Sequence, residues 1–277
     1  MREERPRGGN RFEKTGYDSI KELVSQGFWD ERHRQIRLKK IFPQPQKCYL
    51  DYELDRVFRR WLEPRRGQRL LEVGCGASIW LPYFSKRFGM EVEGIDYSDV
   101  GLALSREILR LNAVQGSLRN ADFRDGPGPD RESTDAVFSL GLIEHFEDPG
   151  PVLAILKDFV RRGGLLLTWL PNTAGVIPRL NPHLSRLYRG FYRRLDLAEI
   201  RACHQRLGLD ILQSSYLQFL DLNFLSLTSL PGFLQRFLSV AFRGLGLFFI
   251  ALEKAGFRTA QSKLLCAGMI VVARRKD

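Results

Sequence analysis

The sequence has few cysteines and no arrangement that would let them act together. Cys48, Cys75, Cys203 and Cys266 lie far apart, with no Cys-x-x-Cys pair and no histidine at zinc-ligand spacing. That pattern speaks against a zinc module and reads as reduced thiols of a cytoplasmic protein. The opening stretch, MREERPRGGNRFEK, is charged and has no apolar segment, so it does not read as a secretory signal. Residues 1–16 are expected to form a disordered basic tail. No run reaches the ~18 uncharged apolar residues of a bilayer-spanning helix. The longest apolar stretch, Phe219 to Leu252, is interrupted by Asp221, Pro231, Arg236 and Arg243, and is expected not to cross a membrane. Internal repeats and low-complexity tracts are absent. Acid is outnumbered, with 32 Asp and Glu against 43 Lys and Arg, a formal net charge of +11 over 277 residues. Such an excess favours anionic partners: nucleic acid, anionic lipid, or a phosphorylated or carboxylated small molecule. It does not choose among them.

Two rhythms are present. Residues 17–66 read as a helical cap. YDSIKELVSQGFW places Ile20, Leu23 and Val24 at helical spacing, and YLDYELDRVFRRWL does the same with Leu50, Leu54, Phe58 and Leu62. Between them ERHRQIRLKK is basic, and FPQPQ breaks the chain at Pro43 and Pro45. From residue 67 to 277 strands and helices alternate. RLLEVGC, EVEGIDYS, LRNADFRD, TDAVFSLGLIEHF and LLLTWLPN read as strands. IWLPYFSKRFG, DVGLALSREILRLN and PVLAILKDFVRRGG read as helices. Alternation of this kind predicts an open α/β sheet of parallel strands with crossover helices. Residues 173–200 interrupt it, and residues 219–256 form an apolar helical insertion before the last strand, KLLCAGMIVVARRK.

The chemistry is concentrated at strand ends. In an open α/β sheet, ligands bind beyond the carboxyl ends of the strands. There LLEVGCGAS presents Gly74 and Gly76, which can take unusual backbone angles and admit a ligand closely. Glu72 precedes them, where a carboxylate can meet an ammonium group. Asp96 ends the second strand, the usual place of an acid that binds ribose hydroxyls. Asp122 and Phe123 end the third, where a carboxylate can accept from an adenine amine and a ring can flank the base. Acid at successive strand ends implies a ligand with a diol, an amine and little phosphate. A dinucleotide-dependent oxidoreductase is disfavoured, because Ile79 replaces the third glycine of the pyrophosphate fingerprint and Glu72 would repel the pyrophosphate. A phosphate-binding loop is disfavoured because no Gly-Lys-Ser/Thr follows the glycines.

LLEVGCGAS, VEGIDYS, ADF and TDAVFSLGLIEHF, in this order, resemble the successive motifs of the class I S-adenosylmethionine-dependent methyltransferases, over about Gln68 to Asn172. The resemblance implies a Rossmann-like, seven-stranded, mostly parallel sheet with an antiparallel last strand and helices on both faces. It implies S-adenosyl-L-methionine as cofactor. Glu72, Gly74 and Gly76 would line its methionine part, with Cys75 between them and no chemistry assigned to that thiol. Asp96 would bind the ribose, Tyr97 would lie against the adenine, and Asp122 with Phe123 would meet the adenine amine. The backbone of Ser139 and Leu140 would pass near the sulfonium.

Methyl transfer from a sulfonium needs alignment above all, which is worth roughly 7–11 kcal/mol. It needs a base only where a hydroxyl must lose its proton. His145, after Glu144, is the candidate base; the alternative is that the pair caps and orients the following helix. Some quinone-pathway O-methyltransferases carry a metal-binding Glu-x-x-Glu-His segment, but Gly141 stands here for its first acid, so no metal is expected. His33, in the basic run, reads as solvated, and His204 as a surface residue. Tyr17, Phe28 and Trp29 either close over the methionine end or simply pack. The segment RLNPHLSRLYRGFYRRL reads as an acceptor lid, with His183, Arg189 and Tyr192 as candidate substrate contacts. It would serve an anionic substrate or nucleic acid, or be a solvated helix. Nucleic acid is disfavoured, since SLGL replaces the Asn/Asp-Pro-Pro-Tyr/Phe signature of base amino-methyltransferases. The apolar insertion reads as a pair of helices lying in a membrane interface, as a wall for a greasy acceptor, or as core or dimer packing. The expected activity is methylation, at oxygen, of a small-molecule or lipid- or glycan-linked acceptor. The expected place is the cytoplasm, with peripheral contact at the inner membrane face. A non-catalytic S-adenosylmethionine-binding subunit and an RNA methyltransferase are the alternatives.

Overall fold

The computed structural model describes residues 20–62, 66–180, 190, 192–225, 227 and 230–277. The strands are β1 (Arg69–Val73), β2 (Glu91–Asp96), β3 (Gly116–Asn120), β4 (Thr134–Leu140), β5 (Val160–Pro171), β6 (Leu209–Phe219) and β7 (Cys266–Arg275). The helices are α1 (Gln26–Arg34), α2 (Tyr49–Leu62), α3 (Trp80–Phe88), α4 (Asp99–Leu111), α5 (Pro149–Phe159), α6 (Val176–Arg179), α7 (Leu197–Arg206) and α8 (Gly232–Lys254).

One seven-stranded sheet runs in the order β3-β2-β1-β4-β5-β7-β6. β1 pairs in parallel with both β2 and β4, and β7 is antiparallel to both β5 and β6. The expected sheet, with its antiparallel last strand, is therefore present. Strand alternation divides the core in two. Leu70, Phe138, Leu167 and Val272 face one way, packed with Leu54, Phe58, Leu81 and Phe84 of α2 and α3. Leu71, Val137, Leu166 and Val271 face the other way, packed with Leu153, Leu156, Ile200 and Cys203 of α5 and α7. Helices thus cover both faces, as buried parallel strands require. β1 lies where the strand order reverses, so the crevice beyond its carboxyl end is the expected ligand position.

Some expectations are corrected. The helical spacing at Ile20, Leu23 and Val24 does not make a helix there. Glu22 forms a β-bridge with Phe146, and Leu23 N–H donates to His145 C=O at 2.7 Å. Ser25 then starts α1 by accepting from Phe28 N–H, so pairing with the loop after β4 prevails over local periodicity. The apolar insertion is a single helix among the described residues. Phe219 belongs to β6, Asp221 caps a short turn, and Pro231 precedes α8. Nor do the arginines disqualify α8 by composition: its best 18-residue window has a mean hydropathy of 1.4, enough by length and composition to cross a membrane. His204, read as a surface residue, is fully buried. α7 packs on the sheet, and its imidazole meets Thr168 Oγ1 at 3.3 Å and Ile200 C=O at 2.8 Å.

Candidate active site

A cavity of about 370 Å³ opens at the reversal point, a size ordinary for a small-molecule site. Its floor is the loop after β1. Gly74 and Gly76 have φ of 71° and 44°, in the left-handed region that glycine tolerates. Side chains hold this loop from below. Ser78 Oγ donates to Glu72 Oε2 at 2.5 Å and accepts from Trp80 and Leu81 N–H at the start of α3. Ser105 Oγ donates to Gly76 C=O and accepts from Ser78 N–H at 2.8 Å. Asp96 Oδ2 accepts from Gly76 N–H at 2.7 Å, and its Oδ1 from Ser98 N–H at 2.8 Å.

Two carboxyls therefore sit on one cavity wall. Burial pushes Glu72 up to about 8, against the lowering effect of its Ser78 bond, with Asp96 raising it further. Burial also raises Asp96, although its backbone bonds from Ser98 and Gly76 pull it back. Unliganded, Glu72 is a protonated acid that a nearby cation would ionise. This wall suits a ligand that brings a cation to Glu72 and hydrogen-bonding hydroxyls to Asp96. The glycine cradle and these acceptors together fit S-adenosylmethionine.

The N-terminal segment supplies the roof. Trp29, His33, Lys40, Leu50 and Asp51 all reach the cavity. His33 corrects the reading of a solvated residue. It is buried against the glycine loop, and a Cβ placed on Gly76 would lie 2.8 Å from its Nε2. Ser98 Oγ donates to Asp30 Oδ1 at 2.6 Å and has no second hydrogen to give. His33 Nδ1, 3.0 Å away, is thus the donor to Ser98, which leaves Nε2 as an acceptor over Gly76. Burial lowers the His33 pKa, keeping the ring neutral. Lys40 and Asp51 were also invisible to pattern reading. They form an ion pair at 2.6 Å at the cavity edge, and Asp51 further accepts from Gln44 N–H at 2.6 Å.

The other sequence-derived residues divide. Glu72, Gly74, Cys75, Gly76, Asp96, Tyr97, Phe123, Leu140 and His145 line the cavity together. Asp122, Ser139, Glu144 and Tyr192 are not among its lining residues. Asp122 is turned to Arg124, two residues on, which contacts both its carboxylate oxygens at 2.9 Å. Arg124 also reaches Glu22 at 3.2 Å, and Glu22 accepts from the Tyr97 hydroxyl at 2.6 Å. Asp122, for which an adenine-amine role is expected, is held by this network, which ties the segment before α1 to the β3 end. Ser139 is buried on the strand face opposite Phe138 and Leu140.

Glu144 and His145 belong to a 3₁₀ turn, whose successive side chains diverge. Glu144 is buried, and burial raises it to about 8. His145 is presented to the cavity, with the Trp29 ring edge-on at 4.8 Å and the Tyr192 ring at 4.5 Å. Asp148 caps α5 through Gly150 N–H, so the capping alternative for Glu144 and His145 does not hold. His183, Arg189 and Tyr17 lie outside the described residues.

Residues 46–214 match the family described as "Methyltransferase domain". A ubiquinone biosynthesis O-methyltransferase of Bradyrhizobium is 29% identical over 154 residues, 52% of this chain and 56% of the relative. One from Xanthomonas campestris is 28% identical over 198 residues, 68% of this chain and 78% of the relative. The chain spans little more than half the length of the first relatives, 56–59%. Among solved structures, a complex between the Haloferax volcanii Trm112 methyltransferase activator and a methyltransferase matches with a TM-score of 0.59 at 16% identity, covering 91% of this chain and 96% of that one. At that identity the likeness concerns the fold.

Proposed function

Because the chain belongs to the class I S-adenosylmethionine-dependent methyltransferases, we propose that it methylates an oxygen of a small, largely apolar acceptor whose hydroxyl enters the cavity beside His145. Membership of this family supports an enzyme over a non-catalytic binding subunit.

The cofactor supplies, when bound, a methyl group already activated by a sulfonium. Everything else is done by side chains. Glu72 would ionise to accept from the ammonium group of the methionine part, and Asp96 with His33 Nε2 would accept from the ribose hydroxyls. Phe123 and Tyr97 would hold the adenine. On the acceptor side, Trp29, Leu140, Leu142 and Phe146 form an apolar lining that excludes water. His145 would take the acceptor's hydroxyl proton as that oxygen receives the methyl group released from sulfur. Glu144, with Oε1 3.9 Å from His145 Nε2, would itself have to give up its proton to steady the imidazolium that results. Oxygen as the target is supported by the O-methyltransferase relatives.

The observation that carries this reading is the His145 imidazole, offered to the cavity between the Trp29 and Tyr192 rings on the side away from His33 and the glycine loop. The test is turnover with a panel of phenols and catechols, with and without apolar tails, followed as S-adenosylhomocysteine release. His145→Gln should cut kcat by roughly 10²–10⁴-fold, with cofactor affinity unchanged. Equal turnover in the variant would remove His145 as base.

A further inference from the structure

α8 leaves the body of the protein with an unusual surface. Phe233, Phe237 and Val240 are 76%, 68% and 68% exposed, and Leu247 and Phe248 are exposed beyond them. Their spacing, with Gly244 and Ala251 between and after them, follows i, i+4, i+7, i+11, i+14, i+15 and i+18, a single helical stripe. Soluble proteins rarely leave so long an apolar stripe open. Along one edge of it, at the same helical spacing, stand Arg236, Arg243 and Lys254. No described carboxylate pairs with any of the three. The one acid of α8, Glu253, is turned inward and paired with Arg56 of α2. The outward face of α8 therefore carries apolar groups and positive charge, and no negative charge.

We propose that α8 is an interfacial membrane helix that seats the protein on an anionic phospholipid surface. The stripe Phe233–Phe237–Val240–Phe248 would enter the acyl boundary, and Arg236, Arg243 and Lys254 would extend along its edge to the lipid phosphates. The charge of the whole chain, +11, acts in the same direction. A second copy of α8 is the poorer occupant, because it would bring the same cations and no acid to the contact.

The helix lies on the bilayer and does not cross it. Its C-terminal half is fixed to the folded body. Gly246, Phe249 and Ile250 are buried, and the Phe249 ring stacks on Tyr49 at 5.8 Å and meets Phe219 edge-on at 5.5 Å. Both neighbouring strands, β6 and β7, belong to the central sheet. A helix whose C-terminal half is packed on α2 and the end of β6 cannot also be surrounded by lipid.

The placement bears on the acceptor. Tyr49, Leu50 and Asp51 are consecutive in the first turn of α2. Tyr49 packs on α8, while Leu50 and Asp51 line the cavity. The bilayer-facing helix and the candidate active site thus share one structural wall, which favours an acceptor delivered from the membrane surface.

Vesicle flotation tests this without reference to activity. The full chain should float with vesicles of phosphatidylcholine and phosphatidylglycerol in equal parts. It should float far less with pure phosphatidylcholine, and come off the anionic vesicles as salt is raised. Arg236→Ala and Arg243→Ala should each weaken partition on the order of fivefold. Phe233→Ser together with Phe237→Ser should weaken it by roughly tenfold or more. These side chains are exposed and lie outside the cavity, so S-adenosylhomocysteine affinity should be the same in every variant and reports that each is folded. Absence of wild-type flotation on anionic vesicles overturns the proposal, as does flotation indifferent to the substitutions. A lipid-free dimer that Phe237→Ser dissociates would also overturn it, assigning the stripe to a second copy.

Discussion

Glu72 is fully buried, with Ser78 Oγ as its hydrogen-bond donor and Asp96 as its charged neighbour. Its pKa near 8 means that at pH 7 the unliganded carboxyl holds a proton. Ionisation opposite an incoming ammonium group releases that proton. Cofactor affinity should therefore rise with pH up to about 8 and level off above it. Calorimetry at pH 7 in two buffers of different ionisation enthalpy should show release of up to one proton on S-adenosylhomocysteine binding, a release that Glu72→Gln removes. If the wild type releases none, Glu72 does not meet the cation. The residue was legible because it stands in a contiguous strand-to-glycine run. His33 was not legible. It lies in a basic stretch, and only the docking of α1 over the loop after β1 buries it. The partner of Asp122 was not legible either. A strand-end acid looked free, and its neighbour Arg124 folds back to hold it.

At the scale of elements, the loop after β1 and α1 are built as a fitted pair. A methyl group on Gly76 would be strained by its φ of 44° and would strike His33 Nε2. The backbone part should cost roughly 1–2 kcal/mol, and displacement of α1 should add to it. Gly76→Ala should therefore lower stability and weaken S-adenosylhomocysteine binding. In the double variant with His33→Ala, only the displacement part should be recovered, so the two substitutions should couple in a double-mutant cycle. Strict additivity of the unfolding free energies would show that α1 does not press on the loop. Elements made by local patterning were readable: β1 as an apolar run buried on both faces, α3 ending at Gly89, and β7 as the final strand. Those fixed by distant partners were not. Residues 20–25 abandon their helical spacing to pair with Phe146 and His145. The insertion becomes one helix because β6 extends through Phe219 and pairs with Cys266.

Over the whole molecule, three buried carboxyls set the response to pH. Glu53, in α2, is raised to about 7 by burial against its Arg56 partner, and Glu72 and Glu144 to about 8. Each holds a proton in the folded chain that the unfolded chain, titrating near 4.5, has given up. Their contribution to stability is complete below about pH 4.5 and is lost as pH rises through 7 to 8. His204 has the opposite sign. Burial lowers it to about 4, so it costs stability only as pH falls below its ordinary value of 6.5. Between pH 6.5 and 8 the carboxyls act without that opposition, each contributing a slope of up to about 1.4 kcal/mol per pH unit. Thermal unfolding of the unliganded protein should therefore give a Tm that declines from pH 6.5 to 8. Glu144→Gln should flatten the decline by one carboxyl's share. Saturating S-adenosylhomocysteine should flatten it further, because the ligand ionises Glu72 in the folded state and removes its excess proton. A Tm that is level or rising across this interval would mean that water or a conformational opening already solvates these carboxyls. The buried wall behind the cofactor-binding loop would then be looser than its packing implies.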